Sequence, residues 1–269
     1  MLLWYYDRIM TLWESLPDRE GLHVLDASAG AGYSTRRLLA MGFKVTVTNY
    51  QQERDERIPP EADFVGDVDL NKPLPFDDET FDGAHLQEVI EHIENPAHVV
   101  REFARVLKPG GVFVLSTPNV LNALARVRFA LTGFLEGLKR PVSYAKPPGE
   151  ADNIYMTNLP QLHYLLAHSG MSIEKMVLSP YNLRSVFLAI VLYPLFWLAT
   201  MIVTLRVRRK DLLMKNERLA TPDETLDELL VKQRRVQRRL RKLLLSKEVL
   251  LGRNLMIRAR KTGADPFDA

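Results

Sequence analysis

The chain has 269 residues, no cysteine and a formal net charge of +3. That length holds one α/β domain with additions, and the missing thiols exclude both a disulfide framework and a thiolate metal site. The charge is unevenly placed: residues 50–100 are acidic on balance and 206–260 strongly basic, which points to a surface that meets something anionic.

The N-terminal run MLLWYYDRIMTLWESL lacks a basic n-region and carries Asp7 early, so a signal peptide is not expected. Its Trp4, Ile9, Leu12 and Trp13 suit a helix packed on the domain. His23–Leu25 is a short apolar run ending on Asp26, followed by the small-residue loop Ala27-Ser28-Ala29-Gly30-Ala31-Gly32. Tyr33–Met41 reads as a helix with Gly42 at its C-cap, and Phe43–Thr48 as a second strand. Glycines in a strand–loop–helix–strand unit let backbone approach a ligand. A nicotinamide or flavin site would need a third glycine, where Thr35 stands. A plain glycine-containing turn with no ligand is a further reading. The stretch also resembles the first motif of the class I S-adenosylmethionine-dependent methyltransferases, D/E-x-G-x-G-x-G, with Asp26 as the acid and Ser28 where the first glycine is usual.

What that resemblance implies for the next segment is specific. Asp26, Ala27, Ser28, Gly30 and Gly32 would hold S-adenosylmethionine, whose cationic sulfonium and ammonium suit a carboxylate and backbone carbonyls. Asn49 stands where an acid usually accepts bonds from the ribose hydroxyls, and Tyr50 beside it would line the same pocket. Gln51–Glu61 is charged, ends in Pro59-Pro60 and reads as a solvated connection; Ala62–Val65 is a short third strand. By resemblance Asp67 bonds the adenine amino group and the Val68 N–H meets a ring nitrogen; a common turn Asp after Gly66 is the simpler alternative.

Leu74–Asn119 widens the resemblance to roughly residues 20–120. Phe81–Leu86 reads as a buried strand, Gln87–Ile93 as a short helix, and Pro96 starts another whose apolar face is Val99, Val100, Phe103, Val106 and Leu107. Lys108-Pro109-Gly110-Gly111 stops that helix, and Val112–Ser116 is a strand running into Thr117-Pro118-Asn119. The order QEV-x-EH, helix, L-K-P-G-G, strand, S-T-P-N is similar to the small-molecule branch of the family. Gln87 and Glu88 would line the cofactor pocket. His92, just past the fourth strand, suits a general base, with helix capping or packing as the competing role. Glu88 and His92 are four apart and form a possible metal pair, but no further ligand is evident, so no metal is assigned. The other five histidines read as structural or surface. Leu86-Gln87-Glu88-Val89 is not the D/N-P-P-Y/F of base-methylating enzymes, which argues against a nucleic-acid base as acceptor.

From Val120 to Gly149, basic residues interleave with Phe129, Phe134 and Tyr144 where the family builds its acceptor lid. Asn158–Gln161 reads as a capping box, His163–His168 as helix and Met171–Leu178 as the sixth strand. Ser185–Leu205 carries no charge over roughly 20 residues, enough to span a bilayer core, and Arg206, Arg208, Arg209 and Lys210 follow at once. Thr221–Glu224 then caps a basic amphipathic helix to about Lys247, suited to anionic lipid or to packing on the domain. Asn254–Ala259 reads as a last strand. If it rejoins the sheet, one crossing would leave it on the wrong side of the membrane. Ser185–Leu205 is therefore expected to form a re-entrant or in-plane hairpin broken at Pro194. A true span and a buried hairpin at a dimer interface are the rivals.

The expected fold is a Rossmann-like, doubly wound α/β sheet of seven strands, the last antiparallel, with a helical membrane-docking insertion. Residues 1–180 form the core, 181–250 the insertion and 251–269 the final strand and tail. The expected function is O-methylation of a lipid-linked glycan or other amphiphilic acceptor by S-adenosylmethionine. The enzyme would be attached to the cytoplasmic face of the membrane through 185–210 and 222–247. A degenerate domain serving as a membrane-bound scaffold, motivated by Ser28 and Asn49, and an RNA methyltransferase are the alternatives.

Overall fold

The computed structural model describes residues 2–135, 153, 155–205 and 226–263. Helix α1 (Leu2–Glu14) precedes β1 (His23–Ala27), α2 (Tyr33–Ala40), β2 (Lys44–Thr48), β3 (Asp63–Val65) and β4 (Phe81–Gln87). A single 3₁₀ turn (Ile90–His92) leads to α3 (Pro96–Val106), β5 (Leu107–Pro118), α4 (Ala123–Thr132), α5 (Leu159–His168) and β6 (Met171–Met176). The chain then leaves through α6 (Leu183–Leu205). It returns through α7 (Leu226–Leu244) and α8 (Lys247–Leu251) to β7 (Asn254–Lys261). The seven strands lie in the order β3-β2-β1-β4-β5-β7-β6, with β7 antiparallel to both neighbours, as the sequence predicts.

Period-two alternation divides the strands between two cores. Val24, Val45, Val112, Val114 and Met256 face α1 and α2, where Ile9, Leu12 and Trp13 close the layer. Leu25, Ala27, Leu86, Phe113, Leu115 and Ile257 face α3 and α5. Helix α3 starts on Asn95, whose side chain accepts from the His98 N–H, with Pro96 in its first turn. Helix α5 starts on the predicted box: Asn158 accepts from the Gln161 N–H and Gln161 Oε1 from the Asn158 N–H. Gly42, at φ 88°, lets the chain reverse from α2 into β2.

Three local expectations change. Gln87 ends β4 instead of opening a helix, and only Ile90–His92 is helical beyond it. Lys108–Gly111 lies inside β5, not before it, because these residues bulge opposite the β4 edge, where the pairing jumps from Phe81–Leu107 to Gly83–Val112. Most consequentially, Leu183–Leu205 is one continuous helix with Pro194 inside it, so the hairpin broken at Pro194 is not formed. The uninterrupted apolar residues on either side extend the helix past the one backbone bond that proline removes. The cap at Thr221–Glu224 and residues 136–149 of the segment expected to form the lid lie outside the described residues.

The insertion is tied to the domain by polar contacts near its base. Arg126 on α4 donates to Leu121 O at 2.6 Å and to Leu244 O of α7 at 3.0 Å, and its guanidinium lies 5.0 Å from the Phe196 ring of α6. Asn119 donates to Val249 O and Gly252 O, at 2.7 and 2.8 Å, which fixes α8 against the end of β5. Leu243 and Leu244 of α7 pack against the core, while Arg234, Arg238 and Lys242 face outward. The apolar face of α7 thus serves the domain at its C-terminal end, the packing alternative for that helix.

Candidate active site at the carboxyl ends of the strands

The predicted residues converge at the carboxyl ends of β1, β2, β3 and β4, the crevice where open α/β sheets bind ligands. Among the described residues, three of the five non-glycine residues with positive φ lie here: Ser28 after β1, Asp67 after β3 and Glu88 after β4, at 53°, 58° and 52°. Left-handed backbone costs a residue with a Cβ roughly 1–2 kcal/mol, and such strain gathers at functional sites. The loop between β1 and α2 is closed by Asn49. Its Oδ1 accepts from the Gly30 N–H at 3.0 Å and its Nδ2 donates to Gly30 O at 3.2 Å. Only an amide satisfies both backbone groups of one residue; a carboxylate would set its negative charge against the carbonyl oxygen. That pair of hydrogen bonds accounts for asparagine at a position where the family usually has an acid, and it makes Asn49 the clamp of the loop.

Two further residues expected at the ligand are likewise bonded within the protein. Asp26 is 1% exposed and its Oδ2 accepts from Thr35 Oγ1 at 2.6 Å. Burial raises its carboxyl to about 7. Asp26 therefore braces α2 from beneath the loop instead of facing a ligand. The Val68 N–H donates to Asn49 O at 3.0 Å and so is already taken. Tyr50 and Asp67 stand exposed beside the loop, and a cleft of about 750 Å³ lined by Gly30, Ala31, Asn49, Gln51 and Gln52 adjoins them. Ala27 is buried against the opposite core, while Gly30 and Gly32 hold the left-handed turns that bring the chain over β1.

On the β4 side, Gln87 accepts at Oε1 from Ser34 Oγ at 2.8 Å, and its Nε2 is buried with no acceptor. An orphaned buried donor at the mouth of the loop fits a ligand that brings oxygen acceptors. Beyond it Glu88 reaches toward β5 and β7, accepting from Ser116 Oγ at 2.8 Å and Asn254 Nδ2 at 2.7 Å. Glu91, absent from the sequence reading, lies 2% exposed beside it and accepts from Thr117 Oγ1 at 3.2 Å. Burial, and then the Glu88 charge, push the Glu91 carboxyl well above the ordinary carboxylate range. A carboxyl with raised proton affinity beside a second carboxyl has the form of an acid–base pair. His92 is half-buried in the same turn. Next to it a cavity of about 490 Å³ opens between α3 and α5, lined by Pro96, Tyr155, Met156, Pro160 and Tyr164; the Tyr155 N–H donates to Glu91 O at 3.0 Å.

This sheet order and this crest define the fold of a class I methyltransferase. Residues 25–115 match the family model described as a methyltransferase domain, so the chain carries a domain of the S-adenosylmethionine-dependent methyltransferase family. A ubiquinone biosynthesis O-methyltransferase of Caulobacter vibrioides is 29% identical over 141 residues, 49% of this chain and 52% of that protein. A demethylmenaquinone methyltransferase of Corynebacterium kroppenstedtii is 37% identical over 125 residues, 42% of this chain and 52% of the relative. The chain thus spans about half the length of these curated relatives. A structure provisionally assigned as a methyltransferase, from Bacillus halodurans C-125, shares the fold at a TM-score of 0.52 and 15% identity, covering 95% of this chain and 99% of that one.

Proposed function

We propose that the protein is an S-adenosylmethionine-dependent O-methyltransferase acting on an amphiphilic, lipid-linked acceptor at the inner face of a membrane. The observation that carries the membrane part is α6. Along its apolar stretch, Leu183–Thr204, only Ser185, Ala189 and Thr204 are buried, and Phe187, Ile190, Val191, Leu195 and Leu198 are open to the outside. Such a continuous apolar surface is rare on a monomeric soluble domain, and each large side chain moved out of water contributes about 1.5–3 kcal/mol. A helix of 23 residues is about 35 Å long, yet β7 rejoins the sheet and α7 packs on the domain. A span would require α7, with its six arginines and lysines between Arg234 and Lys242, to recross the bilayer. An in-plane helix meets the same burial without that cost, and the exposed basic face of α7 suits anionic headgroups.

When bound, the cofactor supplies an electrophilic methyl group on a sulfonium. Gly30 and Gly32 would lie under it, Tyr50 and Asp67 beside one end, and Gln87 at the β4 side. The acceptor hydroxyl must lose its proton as its oxygen takes the methyl group. Glu88, held by Ser116 and Asn254, is placed to receive that proton, with Glu91 and His92 next to it. The cavity at Tyr155 and Tyr164 gives an apolar wall beside these carboxyls for the body of the acceptor. One relative is named as an O-methyltransferase, so an oxygen acceptor is within the range of related domains. The test is incubation of the purified protein with membrane lipid extract and methyl-labelled cofactor. Label entering the organic phase supports the reading; label that stays in water, with protein that binds the cofactor, contradicts it.

A further inference from the structure

One face of β4 carries Gly83, His85 and Gln87, alternating with Ala84 and Leu86 on the other. Helix α1 comes close here: a Cβ on Gly83 would lie 2.7 Å from the Trp13 ring. That approach sets the Trp13 indole N–H on His85 Nδ1 at 3.2 Å. An indole nitrogen only donates, so Nδ1 must accept. His85 is fully buried and burial pulls it down to about 4, so it is neutral and carries its proton on Nε2. Nε2 then donates, and its partner at 3.2 Å is Gln87 Oε1. Ser34 Oγ donates to the same oxygen. With the amide reversed, two N–H groups would face each other. The orientation of Gln87 therefore follows from a donor-only group on another element, and it turns Nε2 away from both partners, buried and without an acceptor.

We propose that Trp13 and His85 are positioning residues that hold Gln87 Nε2 as a hydrogen-bond donor for the carboxylate of the cofactor's methionine portion. This rests on the cofactor reading above. Of the polar groups on that portion, the ammonium and sulfonium are cations that an NH₂ donor repels, and the carboxylate is the acceptor. Ser34, bonded to Gln87, lies in the first turn of α2, whose eight residues begin at Tyr33. The positive end of that helix favours an anion at the same place. A sequence reading treats His85 as structural or surface, since nothing local links it to a tryptophan 72 residues earlier.

The experiment is calorimetric titration of S-adenosylmethionine and its decarboxylated analogue into the wild type, Gln87→Glu and His85→Phe. The wild type is expected to favour the carboxylated ligand by about tenfold or more. Gln87→Glu removes that preference by replacing the donor with an acceptor, and His85→Phe lowers it by freeing the amide to turn. Affinity for the decarboxylated analogue stays within about twofold throughout, whereas a merely structural role would weaken both ligands alike. Equal affinity of the wild type for the two ligands, or a preference kept in Gln87→Glu, overturns the donor role. A preference kept in folded His85→Phe overturns the positioning role. Should Gln87→Glu not fold, Gln87→Leu replaces it, with the same expected loss. Binding of neither ligand by folded wild type overturns the cofactor reading, and this proposal with it.

Discussion

The crest over β1–β4 and the α6–α7 insertion handle their exposed chemistry in opposite ways. At the crest, polar groups are tied to one another: Asn49 to Gly30, Asp26 to Thr35, Glu88 to Ser116 and Asn254. What stays unsatisfied there is one amide, Gln87 Nε2. In the insertion the unsatisfied surface is apolar and covers most of a helix. The difference separates two recognition tasks. On the function proposed above, the crest is a preorganised polar frame for a small charged ligand and the insertion a surface for a nonpolar phase.

The largest effect expected from breaking the crest is on the proton-handling pair. Glu91→Gln, which keeps the shape and removes the proton site, should lower label transfer to lipid about 100-fold, with cofactor affinity within about twofold. A loss of cofactor binding instead would place Glu91 in the frame and not in the chemistry. On the other side of the comparison, Val191→Glu with Leu195→Glu should weaken flotation with vesicles of anionic phospholipid by about tenfold or more. Cofactor affinity should not change. If vesicle binding survives both charges, the apolar surface of α6 is not the docking element.

Smaller effects test the frame itself. Asp26 and Glu91 both hold their protons more tightly folded than unfolded. The folded state therefore binds more protons from the ordinary carboxylate range up to about pH 7 for Asp26 and about pH 8 for Glu91, and stability falls as pH rises through that window. Asp26→Asn keeps an acceptor for Thr35 and removes the titration. It should raise stability at pH 8 by on the order of 2 kcal/mol relative to the wild type, and by less at pH 5, read from urea midpoints. An equal gain at both pH values would mean that Asp26 is charged in the fold. Ser28→Gly relieves the left-handed backbone at φ 53° and should stabilise by up to about 1 kcal/mol, offset in part by the freer unfolded chain. A destabilising result would assign the Ser28 side chain a contact of its own.

Much of this was legible in the sequence because it is local. The glycine loop, the helix starts at Pro96 and Asn158, the stop at Gly42 and the short apolar runs of β1 and β5 each follow from short-range patterns. The return of β7 to the sheet followed from the family order. What was not legible depends on long-range approach. Asn49 could be seen to depart from an acid, but not to close on Gly30, 19 residues earlier. The Glu88–Glu91 pair was hidden by reading Gln87–Ile93 as helix, which directed attention to Glu88 and His92 at a spacing of four. The tight turn at Glu88 is what brings Glu91 back beside it. Pro194 alone predicts a break, while the apolar run on both sides carries the helix through.

The most direct test of the central claim is calorimetric titration of S-adenosylhomocysteine into the folded protein. Binding at a dissociation constant on the order of micromolar is the predicted result. No binding by folded protein would contradict the account, leaving a methyltransferase fold that serves as a membrane-bound scaffold.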